Sequence, residues 1–314
     1  MINIAVIGVG AIAVNHLKSI ADSGRCCLCA VCDVNQEKAK SVAEEYSVPY
    51  FTDYNDVPDA VKPDAVIINL PHGLHCESTV YFLEHGVHVL VEKPMANSVA
   101  ECDAMLAAAE KSGKKLAVGH IQRFIEANRK VKEIIDSGAY GKLCMFSENR
   151  TVDYFEPTRP KWFLDKKISG GGIVMNYGAH ALDKLFYILG TNDAKVTSCV
   201  GNYKNDATIE GHAQFLLEFP NDISAAVTFC GYSHSDYNSI YYFTNAALKV
   251  ENSVNLSINT GDGWKAVNSC NDFAASMAAE LDEFCKYIND EPCNIADGIY
   301  SRSIISLIEK IYHI

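Results

Sequence analysis

Residues 2–13 read Ile2-Asn3-Ile4-Ala5-Val6-Ile7-Gly8-Val9-Gly10-Ala11-Ile12-Ala13, and a helical pattern follows over residues 14–21. A short apolar run of this kind, ending in a Gly-rich turn, predicts a strand buried on both faces of a parallel sheet. Gly8 and Gly10 permit a tight bend and a close approach of backbone to ligand. Ala13 keeps the third position small, so that helix and strand pack closely. The helix N-terminus adds N–H donors and the positive end of a dipole, which suits a pyrophosphate bordered by Gly8, Gly10, Ala11 and Ile12. Alone such a turn is weak evidence, because Gly-rich strand–helix turns are common. A second strand-like run ending in Asp33 strengthens it. A carboxylate there would accept hydrogen bonds from the adenosine ribose hydroxyls and repel a 2′-phosphate, and Val34, Asn35 and Gln36 after it supply no cation. The expected cofactor is therefore NAD rather than NADP. The simpler reading of Asp33 is a turn or cap residue.

Outward from this stretch, strand patterns at 2–7, 28–32, 50–52, 65–70, 87–91 and 116–118 alternate with amphipathic segments such as 36–46 and 99–112. Such alternation predicts a doubly wound parallel sheet, an α/β fold of Rossmann type. From about Gly119 the texture changes. A helix over 125–137 leads into period-two strands at 143–149, 195–203, 210–219, 223–230, 239–244 and 247–250. Two helical segments, 273–289 and 300–312, close the chain. Adjacent strands joined by short turns such as Pro220-Asn221-Asp222 predict a mostly antiparallel sheet in a separate α+β domain. The expected division is a dinucleotide-binding domain over 1–120 and a substrate-binding and oligomerisation domain over 121–295. The last helix, 296–314, is expected to pack back near the first domain.

The formal charge of −12 over 314 residues argues against nucleic acid or an anionic membrane as partner, since both need a basic footprint. No apolar stretch reaches membrane-spanning length and the first strand begins at Ile2, so a cytoplasmic location is expected. Twelve cysteines first suggest a metal or disulfide framework. Cys29 and Cys32 have C-x-x-C spacing, but on a strand, where residues three apart point to opposite faces. The rest, from Cys76 to Cys293 and including Cys270, lie among apolar neighbours. All read as reduced core residues, and no metal site is expected.

In open α/β sheets ligands bind outside the carboxyl ends of the strands. The fourth strand ends in Asn69-Leu70-Pro71-His72-Gly73-Leu74-His75, the fifth in Glu92-Lys93-Pro94 and the sixth in Gly119-His120. Pro71, His72, His75, Glu92 and Lys93 therefore join Gly8 and Asp33 as cofactor-side candidates. A lone lysine after a strand is usually a solvated one; on this rim partial desolvation can bring its pKa toward the working pH. His16 is a candidate on the cofactor side, while His85 and His88 read as ordinary. In the second domain Gly170-Gly171-Gly172 precedes a helical pattern on which Asn176, His180 and Asp183 are spaced i, i+4, i+7 and share a face. Tyr154, Trp162 and Tyr177 would face a sugar ring or merely pack. Arg159 and Lys161 would meet an acidic or phosphorylated sugar or, more simply, flank Pro160 as surface charges.

Together, Gly8–Ala13, Glu92-Lys93-Pro94, Gly119-His120-Ile121-Gln122-Arg123-Phe124 and the 170–183 segment resemble the glucose–fructose oxidoreductase / inositol dehydrogenase (Gfo/Idh/MocA) family over essentially the whole chain. The resemblance implies an N-terminal Rossmann domain, a C-terminal domain on a large open sheet, and nicotinamide-dependent redox of a sugar, nucleotide-sugar or cyclitol hydroxyl. It implies a homodimer or homotetramer. Lys93 matches the family lysine beside the reacting hydroxyl, and His180 the histidine proposed as acid/base. Asn176 stands where many members have Asp, His72 where the usual Thr-Pro-Asn motif has its Asn, and His75 matches that motif's His. His120 and Arg123 count as substrate-side candidates. Ile125-Glu126 replaces the common Asn-Pro, which leaves the substrate open. The alternatives are an oxidoreductase that keeps its NAD bound, a redox-assisted glycoside-cleaving enzyme, and a non-catalytic NAD or sugar sensor.

Overall fold

The opening apolar run forms β1 (Ile2–Ile7), buried at every position but Asn3. The computed structural model describes residues 1–203, 208–267 and 272–314. The chain divides into two units, Met1–His120 with Ala274–Arg302, and Ile121–Phe273 with Ser303–Ile314.

In the first unit β1 is followed by α1 (Ala13–Ala21), β2 (Cys26–Cys32), α2 (Gln36–Tyr46), β3 (Tyr50–Phe51), α3 (Val57–Val61), β4 (Ala65–Ile68), α4 (His75–Glu84), β5 (His88–Glu92), α5 (Val99–Ser112) and β6 (Leu116–Gly119). These six strands are parallel, in the order 6-5-4-1-2-3. The winding therefore reverses between β1 and β4, the place outside the carboxyl ends of the strands where open α/β sheets bind ligands. Local chemistry fixes the helix ends. Asn35 accepts the Lys38 N–H at 3.1 Å to start α2, and Ser98 accepts the Glu101 N–H at 3.2 Å to start α5. α1 differs: Ile12 at its N-cap offers no side-chain acceptor.

The second unit holds α6 (Glu126–Ser137), β7 (Leu143–Asp153), α7 (Lys166–Ser169), a π-helical turn (Val174–Gly178), α8 (Ala179–Leu189), β8 (Lys195–Tyr203), β9 (Glu210–Phe219), β10 (Ile223–Cys230), β11 (Tyr232–Phe243), β12 (Ala247–Glu251), β13 (Asn255–Asn259) and β14 (Trp264–Val267). The eight strands run 14-13-12-11-7-10-9-8. All neighbours are antiparallel except β7 and β10. Phe146, Glu148 and Arg150 of β7 stand beside Tyr241, Ser239 and Tyr237 of β11 on one face. β13 and β14, five and four residues long, escape a periodicity search because so short a run barely establishes a period.

The end of the chain departs from the expected division. α9 (Phe273–Ile288) belongs from Ala274 onward to the first unit, because Leu281, Phe284 and Cys285 enter the core formed by Ile4, Val6, Leu17 and Val31. β15 (Ala296–Asp297) then adds an antiparallel edge to β6. α10 (Gly298–His313) starts with the first unit but counts with the second from Ser303. Of the cysteines, Cys26, Cys32, Cys102 and Cys285 are buried, but Cys144 is exposed, so the core reading fails there. Cys270 lies outside the described residues. No helix among the described residues is long and apolar enough to cross a membrane, and no group of three or more metal-ligating side chains occurs among them.

Candidate active site

The carboxyl edge of the first sheet gathers most of the residues read from the sequence. Gly8 has φ +88°, and a Cβ there would stand 2.8 Å from the Asn69 carbonyl oxygen, so only glycine fits. A Cβ on Gly10 would meet nothing within 4 Å: the backbone beside the uncapped start of α1 is open to an incoming group. Asp33 accepts the Val9 N–H at 2.9 Å and the Asn35 N–H at 2.8 Å. It is thus the turn residue of the simpler reading and also a carboxylate fixed beside the Gly-rich turn, with acceptor capacity left for ribose hydroxyls. These residues fit a dinucleotide: open backbone, free helix N-terminus and a placed carboxylate.

Lys93 follows β5, half-buried, and its peptide bond to Pro94 is cis. Its backbone N–H donates to Glu92 Oε2 at 3.2 Å. Glu92 Oε1 lies 2.9 Å from His16 Nε2, and a Cβ on Gly119 would come within 3.3 Å of that carboxylate. Burial alone would raise the Glu92 pKa. The His16 hydrogen bond and charge, with the Lys93 charge, overcome it and hold the group below its ordinary value. His16 is therefore the partner that keeps Glu92 ionised beneath Lys93. His75, expected on the cofactor side, is fully buried, with Nδ1 2.8 Å from the Pro94 carbonyl and Nε2 2.8 Å from the Leu70 carbonyl. It braces the loops after β4 and β5 instead of facing a ligand. Burial lowers its pKa, although both carbonyls favour the protonated ring. His72 is buried in the same loop, its ring 5.7 Å from that of His75, and Pro71 is half-buried beside it. His120 is buried and meets Tyr300 edge-on at 6.3 Å.

In the second unit the Gly run is explained by two residues that sequence reasoning missed. Glu210 takes the Gly172 N–H on both oxygens (3.1 and 3.0 Å), the Val174 N–H at 2.9 Å and the Tyr312 hydroxyl at 2.8 Å. The Tyr312 oxygen accepts the Met175 N–H at 3.1 Å. A Cβ on Gly172 would lie 2.1 Å from the Glu210 carbonyl oxygen and one on Gly171 2.1 Å from the Tyr312 hydroxyl. The glycines thus let a buried carboxylate and a phenol grip the turn that carries Asn176 and His180. No local signal reveals this, since Glu210 and Tyr312 come from β9 and α10. Burial, and then the Glu210 charge, push the Tyr312 pKa well up, so the phenol stays a donor. Tyr312→Phe is expected to lower unfolding stability by about 1.5–3 kcal/mol, because a hydrogen bond to a buried carboxylate is lost. A urea midpoint equal to the parent's would show that the grip contributes nothing.

The π turn over Val174–Gly178 changes the register assumed from the sequence. Asn176 is buried, His180 half-buried, and Asp183 fully buried, so the three do not form one presented polar face. Asp183 is held by Arg123, at 3.2 Å from Nε and 2.5 Å from Nη2. Arg123, expected on the substrate side, is a structural ion-pair partner. Tyr154 is also corrected: it is fully buried, with its hydroxyl against the Asn176 side chain. Tyr177 stays half-buried under the Arg150 guanidinium, 4.0 Å from its ring centre, and Trp162 stacks on Phe163 at 3.7 Å. On the sheet below, Lys184 of α8 is completely buried against Glu148 and bonded to Ser239 at 2.7 Å and Tyr237 at 2.5 Å.

Residues 2–120 match the oxidoreductase family with an NAD-binding Rossmann fold, and residues 128–252 match the GFO/IDH/MocA C-terminal domain. The chain belongs to the Gfo/Idh/MocA family. This family member is 32% identical over 239 residues to the 1-carboxy-3-chloro-3,4-dihydroxycyclohexa-1,5-diene dehydrogenase of Comamonas testosteroni, over 75% of this chain and 59% of that protein. It is 32% identical over 193 residues to the D-glucoside 3-dehydrogenase of Escherichia coli K12, over 60% of this chain and 54% of the other. The match thus spans little more than half the length of these curated relatives. In fold it is similar to the aldose-aldose oxidoreductase of Caulobacter crescentus solved with glycerol, with a TM-score of 0.89, 24% identity and coverage of 99% and 96% of the two chains.

Proposed function

We propose that this Gfo/Idh/MocA protein is an NAD-dependent dehydrogenase acting on a CH–OH carbon of a sugar, nucleotide sugar or cyclitol. The observation that carries the reading is Lys93, anchored through Glu92 and His16 on the sheet edge that also presents the Gly8 turn and Asp33. Bound NAD⁺ supplies the hydride acceptor at nicotinamide C4. Oxidation makes the substrate hydroxyl shed its proton as a carbonyl develops, and the His180 imidazole takes it as general base. The Lys93 ammonium is a donor able to stabilise negative charge as it develops on a substrate oxygen. Asn176 cannot accept a proton and orients the substrate. The relatives named for dehydrogenation of a glucoside and of a carboxylated ring diol support this choice.

The test is NADH formation by the purified protein across a panel of sugars and cyclitols. A nicotinamide that survives dialysis, without steady NADH release, would favour the reading in which the cofactor is retained and used between two substrates. Asp33 supports NAD over NADP. Asp33→Ser is expected to shift the kcat/KM ratio of NADP⁺ to NAD⁺ upward by about 10- to 100-fold, from the loss of ribose hydrogen bonds and of repulsion toward a 2′-phosphate. An unmoved ratio would assign Asp33 to the turn alone.

A further inference from the structure

The second unit pairs its buried cations with carboxylates: Arg123 with Asp183 and Lys184 with Glu148. Two guanidiniums break the pattern. Arg150 stacks 4.0 Å over Tyr177 and 4.7 Å over Tyr237. Arg159 stacks 4.3 Å over Tyr154 and 5.2 Å over Phe163. Tyr154 and Tyr177 meet edge to face at 6.0 Å, so guanidinium, ring, ring and guanidinium form one series. Asn176 lies at the hydroxyl of Tyr154 and directly precedes Tyr177 in sequence. Among the described residues neither arginine has a carboxylate within 4.0 Å, although the chain carries 39 acidic residues against 27 basic ones. Arg159 Nε is buried with no hydrogen-bond partner among them.

Stacking satisfies only the faces of a guanidinium. Its five N–H donors lie in the plane and point outward along the edges. Rings that hold both planes reduce the entropy lost when those edges bind a planar or tetrahedral anion in a bidentate manner. Both arginines remain half-buried rather than buried, so each keeps exposed surface, although Arg159 Nε itself is enclosed. A purely structural pair would gain from an acidic neighbour, and a chain with this acid excess does not lack candidates.

We propose that Arg150 and Arg159 form the anion-recognising end of the substrate site beside Asn176, and that the substrate is a ring polyol carrying a carboxylate or a phosphate. This rests on the dehydrogenase reading for the role of Asn176, but its test does not depend on turnover. Calorimetric titration of the NAD⁺-saturated protein with D-glucose, D-glucuronate and D-glucose 6-phosphate compares one ring with and without charge. At least one anion is expected to bind about tenfold or more tightly than glucose. Binding of glucuronate alone assigns a carboxylate, and of the phosphate ester alone or of both assigns a site that accepts phosphate. Arg150→Gln and Arg159→Gln are each expected to cut the preference about tenfold. Arg→Lys variants, which keep charge and volume but lose the fork, should recover part of it and guard against misfolding. Equal binding of all three probes, or a preference untouched by both Gln variants, overturns the proposal. NADH formation with the same probes separates the two readings. Anion preference with no NADH formed from any member of the sugar and cyclitol panel would sink the dehydrogenase alone, and NADH formation without anion preference would sink this inference alone.

Discussion

Lys93→Met is expected to lower kcat by about 10²–10³-fold while NAD⁺ binding stays intact, the loss typical of one donor at a developing oxyanion. Methionine keeps the length and the apolar stem of the side chain and removes only the ammonium. The backbone N–H of residue 93 still donates to Glu92, and the Glu92–His16 pair, Asp33 and the Gly8 turn are untouched. A fall in kcat with unchanged dinucleotide affinity therefore reports the chemical step. His180→Ala supplies the complementary measurement: loss of the base lowers kcat, and a small base such as imidazole added in solution restores part of the rate. Stopped-flow NADH formation with saturating substrate reads both. Full activity in either variant removes that residue from the reaction.

Glu148→Gln is expected to cost about 3–5 kcal/mol of unfolding free energy. Lys184 and Glu148 are each 1% exposed. Neutralising the glutamate leaves a buried ammonium with only the neutral Ser239 and Tyr237 hydroxyls beside it. Burial pulls the Lys184 pKa down, but the Glu148 charge beside it wins and leaves the value raised. A raised folded-state lysine pKa means that its stabilising contribution is complete below the unfolded value near about pH 10 and fades only in alkali. The destabilisation should therefore be equal at pH 6 and pH 8. The double variant Glu148→Leu with Lys184→Met should recover most of the loss, since a well-packed apolar pair of similar volume is often as stable as a buried ion pair. Urea unfolding of the two variants decides it: a Gln variant within about 1 kcal/mol of the parent would show that water reaches the pair.

Much of the first unit was legible because its signals are local. The strand over residues 2–7, the Gly-rich turn, Asp33 and the lysine at the end of β5 follow from apolar runs that stop at one edge. That edge is shared because parallel strands all end on the same side. Helices α2 and α5 matched their expected spans because their caps, Asn35 and Ser98, sit next to the amphipathic pattern. Legibility fell where the partner was distant in sequence. His75 matched the family's motif, but its two carbonyl partners come from separate loops and make it a brace. Arg123 and Asp183, 60 positions apart, cancel each other as an ion pair. The expected i, i+4, i+7 face dissolved because the backbone widens into a π turn, which residue spacing does not encode.

By itself the sequence determined the Rossmann order of the first unit, the mainly antiparallel second sheet and the identity of Lys93, His180 and Asn176 as candidates. The fold rests on patterns that neighbouring residues impose on the backbone, and the three candidates on their motifs and the family resemblance these carry. Only the tertiary structure decided what each polar group is committed to. It assigned α9 to the first core, closed Glu210 and Tyr312 around the glycine turn, and spent Arg123 and Lys184 on carboxylates. Arg150 and Arg159 were left stacked on aromatic rings, with no carboxylate partner among the described residues. A charge on a sequence has no partner until the chain folds, and in a protein interior the cost of leaving it unpaired separates residues that hold the fold from those that await a ligand.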